Sequence, residues 1–127
     1  MNRDNQDHSV ECLVPVLGVT NLRKSLAFYT QTLGFTVEWG DQEGAEVCGL
    51  RHKGHALMLS EHAQPGGWVW IGLPTDAWFE SLPDQGVEVI QPPTNNSWAY
   101  EMKLADPDGN VLWLGTGPKK DQPFHEW

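Results

Sequence analysis

The sequence predicts an α+β fold: two βαβββ repeats forming curved mixed sheets, with helices outside and a concave ligand groove on the open side. Three observations predict it. Short apolar runs of strand length flank two stretches in which apolar residues recur at helical spacing. Two helix-cap signals, Asn21 and Asp76, lie 55 residues apart. The hairpin glycines Gly54 and Gly109 also lie 55 apart, and one offset shared by unrelated landmarks indicates an internal duplication.

Each unit is too small to bury its own apolar face, so the two pack together as one domain. Repeat 1 covers about 11–61 and repeat 2 about 67–116, between a polar N-terminal arm at 1–10 and a tail at 117–127. A chain of 127 residues buries roughly two-thirds of its unfolded surface, enough for a core without disulfide or metal staples. Helices on one face of each sheet leave the other face uncovered, and that concave side is where a ligand is expected.

Taken in order, Glu11 to Val19 reads as a strand, and Thr20-Asn21 caps a helix on which Leu22, Leu26, Tyr29 and Leu33 share one face until Gly34 stops it. Three strands follow at Phe35 to Trp39, Ala45 to Arg51 and His55 to Ser60, the last two joined by a tight turn at Lys53-Gly54. The second unit repeats the order. Trp68 to Leu73 is a strand, Thr75-Asp76 caps a short helix with Trp78, Phe79 and Leu82, and Pro83 to Gly86 ends it. Strands at Val87 to Gln91, Trp98 to Leu104 and Val111 to Gly115 complete it, with Gln91 to Ser97 read as a loop on the rim of the opening.

The chain carries 17 Asp plus Glu against 8 Lys plus Arg, a formal charge of −9 that repels phosphate backbones and anionic lipid. Nucleic acid and membrane surfaces are therefore excluded as partners, and cationic or neutral ones are favoured. Between Lys53 and Lys103 there is no Lys or Arg, while Glu61, Asp76, Glu80, Asp84, Glu88, Glu101 and four of the tryptophans fall there. That composition suits a site for a flat cation, but composition alone favours a solvated acidic surface over a tryptophan-containing core. Cys12 and Cys48 lie in apolar runs and are expected to be buried free thiols. The start lacks a secretory apolar stretch and no later run reaches the length of a membrane span, so the expected location is cytoplasmic.

From about Leu13 to Gly115 the chain resembles the vicinal-oxygen-chelate superfamily of glyoxalases, extradiol dioxygenases and bleomycin resistance proteins. The resemblance is carried by Val19-Thr20-Asn21-Leu22, Ser25-Leu26-Ala27-Phe28-Tyr29, Leu33-Gly34-Phe35 and the turn Asp106-Pro107-Asp108-Gly109-Asn110. It implies the fold, while several chemistries share that scaffold. Metal-dependent members place a His, Gln or Glu in the first strand of each unit and a Glu four residues after each hairpin glycine. Here those positions hold Val14, one of Gly67, Trp68 or Val69, then Met58 and Trp113, none of which binds a divalent ion. No cofactor is expected. The alternative is a divalent metal in a displaced site built from His55, Glu61 and His62, serving a glyoxalase-type lyase or a dioxygenase; solvated turn histidines explain the same residues.

Within the superfamily the chain is similar to the bleomycin resistance proteins, which bind a drug without transforming it. Four runs carry this: Val14-Pro15-Val16-Leu17, Gly34 through Trp39, Trp68-Val69-Trp70-Ile71 and Ser97-Trp98-Ala99-Tyr100-Glu101. The resemblance implies that Glu38 and Trp39 supply an acid and a ring, that Trp68 and Trp98 line the groove, and that Trp70 and Tyr100 join them. It also implies a homodimer with an exchanged first strand, for which Pro15 is a plausible hinge. Trp113 is read as groove lining or as filler, Trp70 as a groove wall or a dimer contact, Trp78 as core or helix surface, and Trp127 as the end of a tail. The expected function is sequestration of a small aromatic, antibiotic-like, cationic molecule without a catalytic residue.

Overall fold

The computed structural model describes residues 7–126. Its elements run β1 (Val16–Gly18), α1 (Leu22–Ala27), β2 (Thr36–Trp39), β3 (Val47–His52), β4 (His55–Ser60), β5 (Trp68–Gly72), α2 (Ala77–Asp84), β6 (Glu88–Asn95), β7 (Tyr100–Ala105) and β8 (Val111–Thr116). They form two four-stranded sheets with the same internal order, β1-β4-β3-β2 and β5-β8-β7-β6. The first strand of each is parallel to the last, and the other neighbours are antiparallel. This is the βαβββ architecture twice over, and the 55-residue offset is its imprint on the sequence.

Because successive strand residues point to opposite faces, each sheet sorts its side chains into a helix side and an open side. Leu17, Leu50, Leu57, Leu59, Leu104, Leu112 and Leu114 point to the helix side, where they join Tyr29, Phe79 and Leu82 in one continuous buried cluster. The alternate residues make rows across the open sides. One row runs Val16, Met58, Gly49, Trp39; its counterpart runs Trp70, Trp113, Lys103, Gln91.

The turn Asp106 to Asn110 fastens the two repeats. Asn110, fully buried, donates through Nδ2 to the Gly18 carbonyl at 2.8 Å and to Asp106 Oδ2 at 2.9 Å, while its Oδ1 accepts from the Gly66 and Gly67 N–H groups. Tyr29, buried on α1's continuation, donates its hydroxyl to Asp106 at 2.7 Å. Burial, with the adjacent Asp106 carboxylate, drives that phenol far above its ordinary pKa. Asp108 accepts from Ser25 Oγ and from the Thr20 N–H and hydroxyl at the start of α1. Burial alone would raise the Asp108 carboxyl; those hydrogen bonds outweigh it and hold the group below its ordinary value.

Several expectations shift. The strand expected over Glu11 to Val19 is paired only at Val16–Gly18; Pro15 accepts from the Met58 N–H at 3.0 Å but has no N–H to carry the ladder further back. Consequently Cys12 is exposed, whereas Cys48 is buried as expected and burial raises its thiol pKa. Asn21 caps α1, accepting from Lys24 N–H, but Asp76 makes no cap bond and turns its carboxylate to Lys119 Nζ at 3.0 Å. After Ala27 the helix widens into a π-helical turn over Phe28–Thr32, where the Thr30 hydroxyl takes the Leu26 carbonyl and the Leu33 N–H reaches Phe28. Lys53, not Gly54, holds the left-handed position of the first hairpin. Pro83 sits inside the last turn of α2 instead of ending it. Finally, β6 continues through Pro92-Pro93 to Asn95 where a loop was expected; it is an edge strand, and edge strands tolerate prolines. Trp127 and the first six residues of the expected arm lie outside the described residues.

Candidate ligand-binding site

The open side of the second sheet is lined with indoles. Trp68 is 58% and Trp70 48% exposed, both from β5, and Trp113 of β8 stands half-buried between them. Trp113 meets Trp68 edge to face at 6.2 Å between centroids and Trp70 at 5.0 Å, with interplanar angles of 84° and 87°. Such contacts hold rings at fixed angles and contribute about 0.5–1.5 kcal/mol each beyond area burial. Trp113 is further fixed from below, because its Nε1–H donates to Glu101 Oε2 at 2.8 Å. Glu101 itself is only 2% exposed. Gly115 lets Trp70 lie over the strand: a Cβ there would fall within 2.8 Å of three ring carbons of Trp70.

Lys103 completes the row. Its ammonium lies 5.5 Å from the Trp68 ring and 5.4 Å from the Trp113 ring, and it donates to Gln91 Oε1 at 2.9 Å. The sequence reading missed Lys103, Gln91 and the two seating glycines. The available signal was period-two alternation with Glu101 on β7, which puts Lys103 on the same face.

The first sheet makes a smaller version of this surface. Trp39, 47% exposed, lies over Gly49, where a Cβ would approach within 2.9 Å of Nε1, Cε2 and Cδ1 of the indole. A bulge between Val37 and Trp39 puts two residues opposite one, which returns Trp39 to the open side and leaves Glu38 beside it. Glu38 is paired with Arg51 at 2.9 Å, and the carboxylate, by hydrogen bond and charge, raises the guanidinium pKa.

The remaining candidates separate. Trp98 is 58% exposed in the short link between β6 and β7. Tyr100 lies on the helix side, stacked on Phe79 of α2 at 4.9 Å and under the Lys119 ammonium at 4.6 Å, so it is not brought to the tryptophan face. Trp78 is partly buried against the core. A cleft of about 280 Å³ lies elsewhere, between Phe28 and Thr32 of the first repeat and Gln85, Glu88 and Pro107 of the second. It offers one ring, Phe28, for stacking, whereas the tryptophan face is an open sheet that needs a cover to become a groove.

The chelate positions do not fit a metal ion. Met58 faces Val16 across β1 and β4, and Trp113 faces Trp70 across β5 and β8, so neither facing pair supplies an oxygen or imidazole donor; Gln91, at the far end of the second row, has its Oε1 engaged by Lys103 Nζ. The displaced alternative is not assembled: Glu61 Oε2 accepts the Leu22 N–H at 2.8 Å, His62 pairs with Glu46 at 2.6 Å, and His55 opens β4 at the far end of that strand. Among the described residues no group of three or more His, Cys, Asp or Glu is placed to hold an ion.

Residues 7–114 match the family described as the Glyoxalase/Bleomycin resistance protein/Dioxygenase superfamily. No curated protein sequence matches the chain significantly. Among solved structures, TnmS3, an antibiotic binding protein from Streptomyces sp. CB03234, is similar with a TM-score of 0.74 and 26% identity, over 88% of this chain and 99% of that one. TioX from Micromonospora sp. ML1 has a TM-score of 0.73 at 16% identity, over 83% of this chain and 97% of that one. A superfamily member from Sphaerobacter thermophilus DSM 20745 has 0.72 at 23%, over 84% and 98%. The last two likenesses speak for the fold alone. With the family match spanning most of its length, the chain belongs to the glyoxalase/bleomycin resistance protein/dioxygenase superfamily.

Proposed function

We propose that the chain binds and sequesters a small planar aromatic, antibiotic-like molecule on the tryptophan face of the second sheet, without transforming it. The observation that carries this reading is the fixed indole set Trp68, Trp70 and Trp113, the first two about half exposed, with Trp113 at a position where chelating members of the superfamily hold a metal ligand. Ring stacking on preset indoles needs no reaction, and Met58 and Trp113 stand where a lyase or dioxygenase of this family would place metal-ligating glutamates. The similarity to TnmS3, an antibiotic binding protein, supports the ligand class.

The reading includes a homodimer. Trp39, Trp68 and Trp70 on the open sheet faces, with Val16 and the 88% exposed Leu13, leave large apolar side chains to water, as surfaces that meet a partner do. Setting the open face of one chain against that of a second would close the groove and bring Trp39 and Trp98 toward the ligand. Exchange of the first strand belongs to the same proposal: β1 has three pairing positions with β4 of its own chain, and an exchanged copy would remake them, with the burial of Leu17, in the partner. The ligand charge expected from composition finds no support at this site, where Glu101 and Glu38 are already engaged and a lysine lies against the indoles.

Fluorescence titration with planar aromatic antibiotics tests the function. Saturable quenching that weakens in Trp68→Ala at unchanged thermal stability supports it; no quenching by any such compound, or identical affinity in Trp68→Ala, removes it. Sedimentation velocity reads the dimer directly, and a monomer at all concentrations removes that part.

A further inference from the structure

Among the described residues Lys103 is the one cation held against the tryptophan cluster, and its surroundings specify what it awaits. The indole faces that would attract a ligand cation are already occupied by its ammonium, at 5.5 and 5.4 Å. Of its three N–H donors, one goes to Gln91 Oε1 at 2.9 Å. No ion pair among the described residues involves it. Glu101 and Glu88, the acids whose register places them on this face, do not pair with it, and Glu101 is shut behind Trp113. A second donor lies alongside: Gln91 Nε2 is buried with no hydrogen-bond partner. Donors therefore outnumber acceptors at the end of the Gln91, Lys103, Trp113, Trp70 row, and buried donors without acceptors are costly.

We infer that the ligand stacked on Trp68 presents an ionised oxygen acid, a carboxylate or phenolate carried by its aromatic ring system, to the Lys103 ammonium. The inference rests on the binding reading above and gives the ligand's charge the opposite sign to that suggested by the composition. The net charge of −9 does not decide the matter, since solvent-exposed charges are screened beyond about 8 Å at physiological salt, whereas the Lys103 ammonium stands at the Trp68 ring itself, 5.5 Å from its centroid.

A matched naphthalene series tests it: 2-naphthoate, its neutral methyl ester and 2-naphthylmethylammonium, each titrated by tryptophan fluorescence into wild type, Lys103→Met and Lys103→Arg. The expected order is naphthoate tightest in wild type, weakened about ten- to hundredfold in Lys103→Met, the size of a charge-assisted hydrogen bond, and restored in large part in Lys103→Arg. The ester should change little across the three proteins. If ester and ammonium bind and naphthoate gains nothing over them, or Lys103→Met leaves the naphthoate affinity unchanged, the inference is overturned while the aromatic-binding reading stands. If none of the three binds, both are overturned.

Discussion

Replacing Gly115 by alanine asks whether this residue is glycine in order to seat an indole. Gly115 lies in β8 without a positive φ, so alanine brings no backbone strain. Its Cβ, however, would fall within 2.8 Å of three ring carbons of Trp70, whereas carbon atoms rest at about 3.5–4.0 Å. The ring must retreat by about 1 Å or more. Trp70 is half exposed and can swing outward, which sacrifices its edge-to-face contact with Trp113. The cost should be about 1–3 kcal/mol, measurable as a lower urea midpoint at constant slope against a total stability of about 5–15 kcal/mol. A double-mutant cycle isolates the cause: in a Trp70→Ala background, Gly115→Ala should cost less than about 0.5 kcal/mol. Equal costs in both backgrounds would refute the reasoning and place the requirement in the backbone.

Four further outcomes follow from the same geometry. Asn110→Ala removes four hydrogen bonds from a fully buried side chain that ties Gly18 to the Asp106 turn, and should lower stability by about 2–4 kcal/mol in chemical unfolding. Tyr29→Phe leaves Asp106 Oδ2 short of a buried donor and should cost about 1–3 kcal/mol by the same assay. Asp108 has a folded pKa below its ordinary value of 3.8, so its contribution is fully present above that value and is lost as pH falls through the lower folded value; Asp108→Asn should flatten the acid limb of a Tm against pH profile below about pH 4. Dialysis against EDTA should leave both Tm and naphthalene quenching unchanged, and a loss restored by one equivalent of zinc, nickel or iron would reinstate the chelate alternative.

Local signals in the sequence carried the architecture far but the site only in part. The strand His55–Ser60 and the two-unit order were legible because turn chemistry and period-two alternation are encoded within a few residues. The extension of β6 through Pro92-Pro93 was not, since proline excludes a central strand and only the sheet order reveals an edge. Asp76 looked like a cap in sequence, yet Lys119, 43 positions away, captures its carboxylate. The Asp106 to Asn110 turn was recognisable, while its role as a fastener depends on Thr20, reached across 88 positions. At the site, Trp68, expected from the resemblance, and Trp113, expected from its place after the hairpin glycine, stand side by side on one face. Tyr100 was misplaced because it begins β7 with its ring toward α2, and Lys103 was overlooked because a lone cation among acids has meaning only once its register with Trp113 and Gln91 is known.

The central claim is that ligand binds at the indole cluster of the second sheet, and indole-resolved NMR tests it most directly. Each of the seven tryptophans gives one side-chain N–H signal, and single Trp→Phe variants assign them. Adding the naphthalene probe that quenches fluorescence should shift the signals of Trp68, Trp70 and Trp113 along one saturation curve while that of Trp78, packed against the core, stays in place. Shifts confined to Trp78, or a saturable binder that leaves those three signals unmoved, would contradict the account.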